Sequence, residues 1–360
     1  MRKFIIIILI IMLAGFAGPS YGTENDTLQP PPEVSARNAI LIEANSGEVL
    51  YEKNAEEKAY PASITKIMTA LLAIENGTLD KKVKISENAA GVEGSSIYLA
   101  PGEMISLRDL VYGLMLRSGN DAAIAISEEI GGSTNNFVIM MNKKARELGA
   151  CNTNFMNPNG LHDPEHYTTA KDMALIARAA MKNAEFKKVA ATKSWVTDRG
   201  EGKYNYFYNK NKVVYQYNGG TGIKIGYTKA AGRTLVASSE RDGMELICVV
   251  MNAPDWFQDT YKLMDYAYSQ YETTKIAIGQ RPIKAVKIWG GNKDFVQIGS
   301  REDILCPVKK GVESKISIMY VLPKHQVAPI SRWQEAGCLK IYVNGNYLFS
   351  KPLHYLEDLE

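Results

Sequence analysis

The stretch PASITKIMTALLAIENG, residues 61–77, places a hydroxyl and an amine three residues apart at the start of an apolar segment. Pro61 is typical of the first residues of a helix and Gly77 of the position just after one, so the stretch predicts a single helix. Because residues i and i+3 share a helix face, the Lys66 amine can reach the Ser63 oxygen. The pair indicates a serine nucleophile with its own base. Taken alone, Ser63 as a helix cap and Lys66 as a solvated lysine is the alternative.

Two further motifs later in the chain carry related chemistry. Ser118, Gly119 and Asn120 lie between two predicted helices, where the polar side chains can point into a cleft or cap the second helix. Lys224 and Gly226 lie on a predicted strand, where side chains alternate and a glycine lets a ligand approach the backbone. A lysine on an otherwise apolar strand is hard to explain by structure alone. Three motifs in this order favour a catalytic cleft.

The beginning of the chain has the three parts of a secretory signal peptide. Arg2 and Lys3 precede an apolar run, and small residues precede Thr23. We therefore expect a signal peptide over residues 1–22 and export of the protein to the cell wall or the medium. A leader that stays uncleaved would instead attach the protein to the membrane.

Composition and charge restrict the class of protein. The 360 residues are 46% hydrophobic and 22% charged, an ordinary globular balance with room for a large core and a second domain. Residues 1–22 hold two basic residues and no acidic one, so their removal lowers the formal net charge from +3 to +1. This balance does not predict binding to nucleic acid.

The cysteines and histidines do not predict a metal site or a cofactor. The four cysteines are widely spaced, unlike those of zinc or redox motifs. Export permits a disulfide between Cys306 and Cys338, which the sequence leaves open. His162 and His166 are four residues apart, but Pro164 between them would break the helix that metal binding at this spacing needs.

The order of predicted elements gives the domain organisation. A strand pair around residues 45–47, a three-stranded meander over residues 223–251 and several helices predict an α/β (α+β) sheet flanked by helices with a helical insert. After residue 274 only short strands follow, and Asn344-Gly345 is a strong hairpin signal. We expect one domain over residues 23–274 and a small all-β domain over residues 275–360.

With its three motifs in this order, the chain resembles the serine penicillin-binding proteins, most closely the low-molecular-weight D-alanyl-D-alanine carboxypeptidases of the bacterial cell wall. The resemblance runs from residue 36 to residue 360 and includes residues 45–47, 156–161 and 222–238. It implies a penicillin-binding, β-lactamase-like transpeptidase domain followed by a small C-terminal all-β domain.

The resemblance also implies a role for each motif residue. The substrate would be the D-Ala-D-Ala end of a peptidoglycan stem peptide, β-lactams would be acylating inhibitors, and no cofactor would be needed. A nearby Lys224 cation would lower the pKa of the Lys66 base. Backbone amides of Ser63 and Tyr227 would form the oxyanion hole. The implied catalytic residues are Ser63, Lys66, Ser118 and Asn120, and the implied substrate-binding residues are Lys224, Gly226, Tyr227 and Thr228.

Ile225 departs from the family pattern, which has Thr or Ser in the middle of the third motif. The missing hydroxyl usually helps to bind the terminal carboxylate of the substrate. Losing such a bond costs about 1.5 to 3 kcal/mol, a factor of roughly ten to a hundred in kcat/KM. Thr228, Lys210 and Lys212 are candidates to hold the carboxylate instead. We therefore expect a weakened or altered enzyme.

Two other functions share parts of this pattern. A serine β-lactamase shares the Ser63 and Lys66 pair, but the Glu-x-x-Leu-Asn segment of class A enzymes is missing. A non-catalytic peptidoglycan-binding protein could have lost turnover through Ile225, although the retained motif residues argue against this. The last eight residues are acidic and predict no basic amphipathic membrane anchor at the C-terminus.

Overall fold

A five-stranded antiparallel sheet forms the centre of the first domain. The computed structural model describes residues 30–360, so the predicted signal peptide over residues 1–22 lies outside the described residues. The strands of this domain are β1 (Asn38–Glu43), β2 (Val49–Lys53), β3 (Lys82–Lys84), β4 (Met104–Ser106), β5 (Ser194–Val196), β6 (Tyr206–Tyr208), β7 (Gly220–Thr228), β8 (Gly232–Arg241) and β9 (Met244–Met251). The central sheet has the order β2-β1-β9-β8-β7, which makes β7 an edge strand and confirms the predicted meander.

Helices cover both faces of this sheet. They are α1 (Lys66–Asn76), α2 (Leu107–Tyr112), α3 (Asn120–Gly131), α4 (Thr134–Glu147), α5 (Ala170–Met181), α6 (Ala184–Ala191), α7 (Val213–Gln216) and α8 (Trp256–Gln270). Helix α8 packs on β8 and β9 from one side, and α5 packs on β1 and β9 from the other. Alternation along β1 sends Ile40 into the core shared with α1 and Leu41 into the core beneath α8. The predicted sheet flanked by helices is confirmed.

The helical insert lies between β2 and β7. Its helices α2 and α3 are separated by a π-helical turn, Gly113–Arg117. Ser106 caps α2, since its hydroxyl accepts a hydrogen bond from the Asp109 N–H at 3.0 Å. Within residues 30–360, no helix has the length and apolar character needed to cross a membrane.

The C-terminal domain is all β. Its strands are β10 (Tyr271–Ala277), β11 (Lys284–Lys287), β12 (Phe295–Gly299), β13 (Ile304–Lys309), β14 (Ile316–Val321), β15 (Glu335–Val343) and β16 (Asn346–Tyr355). Five of them form a sheet of order β11-β12-β16-β15-β14, and β10 pairs with β13. Asn344 and Gly345 join β15 to β16 with φ of 52° and 82°, as the predicted hairpin requires. Cys306 and Cys338 are free thiols in this structure.

Candidate active site

Ser63 lies in a short 3-10 turn, Ala62–Thr65, that leads directly into α1. The turn is fixed from two sides. The Thr234 hydroxyl of β8 donates to the Pro61 carbonyl at 2.9 Å. On the other side Gly160 approaches so closely that an added Cβ would lie 1.9 Å from the Ala62 carbonyl oxygen. Only glycine fits at this position, which also has a φ of +81°.

Lys66 is completely buried, and its ammonium nitrogen contacts three oxygen atoms. Nζ lies 3.0 Å from Ser63 Oγ, 2.7 Å from Asn120 Oδ1 and 2.5 Å from the Asn159 carbonyl oxygen. A neutral amine has two N–H donors and one lone pair. Asn120 and Asn159 can accept the two donors, which leaves the lone pair facing the Ser63 hydroxyl. The predicted nucleophile and base are therefore adjacent, in a geometry that suits proton transfer.

The pKa of Lys66 is well below its ordinary value, and burial is the main cause. The Lys224 cation lowers this pKa further, as the sequence predicted, but its effect is second to that of burial. Lys210 acts in the same direction, whereas the Asp121 carboxylate raises the pKa. The neutral form that a general base needs is thus favoured by the protein interior itself.

The second motif follows the π-helical turn. Ser118 is buried and adopts a left-handed conformation with φ of +66°, which ends the turn before α3 begins. Asn120 is the first residue of α3, and its Nδ2 donates to the Glu93 carbonyl at 2.5 Å. Its backbone N–H donates to the Ser95 carbonyl at 2.7 Å. These two bonds leave Oδ1 of Asn120 directed at Lys66.

The third motif lies on edge strand β7, beside the nucleophile turn. Lys224 is buried, and its ammonium donates to the Ile225 carbonyl at 3.0 Å. Burial, with the Lys210 charge as a second cause, lowers the pKa of Lys224 to about 7. A Cβ on Gly226 would lie 2.8 Å from the Ser63 backbone nitrogen. Gly226 therefore allows the strand to approach the nucleophile.

The remaining third-motif residues differ in their surroundings. Ile225 is half-buried and packs against the core beneath α8, on the face of β7 opposite Lys224. Tyr227 is 63% exposed. The Thr228 hydroxyl accepts a hydrogen bond from the Ala231 N–H at 3.0 Å in the turn to β8, so this oxygen is engaged within the protein.

The two lysines considered as substitutes for the missing hydroxyl lie in different places. Lys210 is exposed, its ammonium lies 3.4 Å from Ser95 Oγ, and its charge lowers the pKa of both Lys66 and Lys224. Lys212 instead places its ammonium 5.7 Å from the ring centre of Phe257 on α8. The structure brings the Lys210 charge to Lys66 and Lys224 and places Lys212 beside α8.

The Asn159 carbonyl is a site group that the sequence did not predict. Its loop is folded by the Asn157 side chain, whose Oδ1 accepts from the Gly160 N–H at 2.7 Å. A backbone carbonyl has no residue signature, although turn-forming residues 157–160 are one of the stretches that carried the family resemblance.

His166 also joins this loop to the nucleophile turn. The Met156 N–H donates to Nδ1 of His166 at 3.2 Å, so Nε2 carries the proton and donates to Thr65 Oγ1 at 2.9 Å. Burial is the main cause that lowers the pKa of His166 to about 4. The sequence assigned His162 and His166 to a loop, and within residues 30–360 no cluster of potential metal ligands is present.

Comparisons with known families agree with this geometry. Residues 24–255 match the S11 peptidase family, described as D-alanyl-D-alanine carboxypeptidase. Residues 271–360 match the C-terminal domain of penicillin-binding protein 5. The two matches together extend over both domains of the structure.

Individual relatives match over most of their length. The D-alanyl-D-alanine carboxypeptidase DacF of Bacillus subtilis is 36% identical over 100% of this chain and 95% of its own. Penicillin-binding protein 5 of Haemophilus influenzae has a TM-score of 0.72 at 31% identity, over 92% of this chain and 99% of that one. PBP3 of Streptococcus pneumoniae, a peptidoglycan synthesis regulatory factor, has a TM-score of 0.74 at 28% identity, over 91% and 100% of the two chains. The three motifs, both domains and these relatives agree, and the chain belongs to the D-alanyl-D-alanine carboxypeptidase family of serine peptidases.

Proposed function

We propose that the protein removes the terminal D-alanine from peptidoglycan stem peptides through an acyl-enzyme on Ser63. The observation that carries this proposal is the environment of Lys66. Its amine faces the Ser63 hydroxyl at 3.0 Å, while Asn120 and Asn159 accept its remaining donors. A buried lysine with a lowered pKa is the base that a serine nucleophile needs.

In the first step, Ser63 Oγ attacks the carbonyl carbon between the two D-alanines as its proton moves to Lys66. The oxyanion accepts hydrogen bonds from the Ser63 and Tyr227 backbone N–H groups. The close approach of Gly226 to the Ser63 nitrogen supports this assignment, because Tyr227 follows Gly226 on the same strand. The peptide C–N bond then breaks, and Ser118 relays a proton to the leaving amine.

In the second step, water attacks the ester carbonyl and releases the shortened peptide. Lys66 takes a proton from this water, and Ser63 regains its own. Asn120 holds Lys66 through Oδ1 in both steps. β-Lactams acylate the same serine, since their amide carbonyl presents the same electrophile.

The terminal carboxylate of the substrate binds between the cations of the cleft. Lys224 supplies one charge and Lys210 another, and both charges act on Lys66. Ile225 contributes no hydroxyl to this contact, which weakens binding relative to a Thr or Ser. Tyr227 and Thr228 line the outer end of the same strand.

The proposed location follows from the substrate. Stem peptides lie outside the cytoplasmic membrane, which agrees with the predicted signal peptide over residues 1–22 and makes peptidoglycan the partner of the protein. We assign residues 23–274 to the peptidase domain and residues 275–360 to the β-rich domain. Strand β10 crosses this boundary, because it spans Tyr271–Ala277.

Intact-mass analysis after treatment with penicillin tests the proposal, with release of D-alanine from a D-Ala-D-Ala peptide measured in parallel. We expect one penicillin adduct and D-alanine release from the parent protein and from the Ser317→Ala control on β14, and neither from Ser63→Ala. A folded parent protein that shows no adduct and no release would contradict the proposal. An adduct that forms and turns over rapidly would indicate a β-lactamase instead.

A further inference from the structure

A cleft of about 740 Å³ lies between the two domains, away from Ser63. The first domain contributes the end of α5, the start of α6 and the turn between β1 and β2. The C-terminal domain contributes the segment from Ser300 to Leu305 and part of β16. Any ligand of this cleft would therefore touch both domains at once.

Five cations from both domains line this cleft. Lys187 is paired with acidic side chains, and Arg301 donates to the Trp333 carbonyl at 2.9 Å. Within residues 30–360, the other three form no ion pair. They are Arg178 and Lys182 at the end of α5 and Lys351 on β16.

The Arg178 guanidinium is held in place, since Nε donates to the Ala44 carbonyl at 2.6 Å and Nη2 to the Asn45 carbonyl at 2.7 Å. These carbonyls are neutral, and although the Glu43 carboxylate raises the pKa of Arg178, burial outweighs it and the pKa is lowered overall.

The two lysines have no direct carboxylate partner. Among residues 30–360, no carboxylate oxygen lies within 4.0 Å of the Lys182 or Lys351 ammonium. The structure thus gathers three positive charges on two domains without an ion pair between any of them and an acidic side chain. Such an arrangement is repulsive unless an anion completes it.

Most of the acidic side chains around the cleft are already paired. Lys187 forms ion pairs with both Glu240, at 2.9 Å, and Glu245, at 3.2 Å. Asp303 pairs with Lys275 at 2.6 Å. Glu302 is the remaining carboxylate of the cleft wall, and the nearby Glu43 carboxylate also acts on Arg178 and Lys351, so the unpaired cations still outnumber the unpaired acids.

The electrostatics of the lysines agree with this reading. Burial and the Arg178 charge lower the pKa of both Lys182 and Lys351, and Lys351 also lowers the pKa of Lys182. Glu302 opposes this effect on both lysines, and Glu43 opposes it on Lys351. The lowered pKa values agree with repulsion among the cations, which a bound anion would relieve.

We propose that this interdomain cleft binds a phosphate-type oxyanion between Lys182 and Lys351, with Arg178 contributing its charge from the wall. Two ammonium groups on facing surfaces suit a compact, multiply charged anion, because each donates to a different oxygen. The Arg178 guanidinium already donates to two backbone carbonyls, so the two lysines make the direct contacts with the anion. The phosphate could be a free anion or part of a phosphodiester polymer, which present the same oxygens.

Calorimetric titration of the purified protein at constant ionic strength tests this site. The probes are inorganic pyrophosphate, a poly(glycerol phosphate) oligomer and citrate. The test variant is Lys182→Gln with Lys351→Gln, and the control is Lys188→Gln with Lys262→Gln, which removes the same charge from exposed positions on α6 and α8. D-alanine release by all variants verifies that the peptidase domain is folded.

We expect saturable binding of one phosphate probe per chain, with the Kd raised at least tenfold in the test variant and unchanged in the control. Tighter binding of the oligomer would assign the phosphate to a polymer, and tighter binding of pyrophosphate to a free anion. Absence of saturable binding would overturn the proposal. Equal weakening in both variants, or citrate binding as tightly as pyrophosphate, would overturn it as well.

Discussion

The nucleophile turn and strand β7 form two sides of one cleft, and different contacts stabilise them. On the turn side, Lys66 has three oxygen partners and Thr65 is bonded to His166. On the strand side, Lys224 donates to the carbonyl of its own neighbour, and Tyr227 is largely exposed. The geometry that we propose for proton transfer is therefore set before substrate arrives, whereas the charges that we propose to recognise substrate gain a carboxylate partner only on binding.

The largest effect is expected from removing Lys66, the proposed base on the turn side. We expect Lys66→Ala to reduce the rate of penicillin acylation by about 10³-fold or more, since general-base catalysis contributes about 10² to 10⁴. Stopped-flow or mass-spectrometric acylation kinetics measure this. Lys144→Ala, which removes a lysine from the surface helix α4, is the control. A loss of less than tenfold in Lys66→Ala would assign the base to another group.

Lowering the pH tests the turn side of the cleft through protonation of His166, which is hydrogen-bonded to Thr65. Its pKa is about 4 in the folded protein against about 6.5 when exposed, so the unfolded chain gains the proton first as pH falls. The free energy of unfolding therefore falls between pH 6.5 and pH 4, and His166 accounts for about 3 kcal/mol of this fall. Glutamine can accept from Met156 and donate to Thr65 without titrating. Urea unfolding at pH 7 and 4.5 should show a smaller acid loss in His166→Gln, and equal losses would contradict this assignment.

On the strand side, Ile225→Thr supplies the hydroxyl that the family motif usually has. We expect kcat/KM for D-Ala-D-Ala peptides to rise by roughly ten to a hundredfold, in proportion to one charge-assisted hydrogen bond. Ile225→Val, which shortens the side chain without adding a hydroxyl, is the matched control. A higher kcat/KM in both variants would show that the size of the Ile225 side chain, and not the missing hydroxyl, limits the parent enzyme.

The smallest effect concerns the charge of Lys224. With a pKa of about 7, Lys224 is a cation below this pH and neutral above it. Binding of a carboxylate needs the cation, so kcat/KM should fall about tenfold per pH unit above 7. A substrate whose terminal carboxylate is an amide should lack this fall, and the ratio of the two profiles isolates the effect. Parallel profiles for both substrates would show that Lys224 does not titrate in this role.

The sequence predicted the parts of the molecule that depend on local patterns. The Ser63 and Lys66 spacing, the meander and the Asn344-Gly345 hairpin all follow from helix period, strand alternation and turn geometry. Helix α6 was not predicted, because its short segment lies next to a polar stretch. The turn at Gly113–Arg117 was also missed, since a π-helical turn keeps the apolar pattern of the helix before it.

The side chains that we propose as catalytic were easier to identify in the sequence than the groups that hold them. Ser63, Lys66 and Asn120 carry their chemistry in their side chains, and the structure brings these three together. The Asn159 carbonyl belongs to the backbone, and its position depends on a loop that is distant in sequence. The sequence also did not predict that burial is the main cause of the lowered pKa of Lys66, because burial is a property of the folded core.

Asn120 links the rim of the cleft to its centre. The same residue that orients Lys66 also holds the Glu93 and Ser95 carbonyls through its amide and its backbone N–H. Gly94 between them has no room for a Cβ, which would lie 2.7 Å from Asn120 Nδ2. Substitutions at residues 93–95 that make room for bulkier stem peptides will therefore also move Asn120 and, through it, Lys66. Substrate range and turnover cannot be optimised independently in this segment.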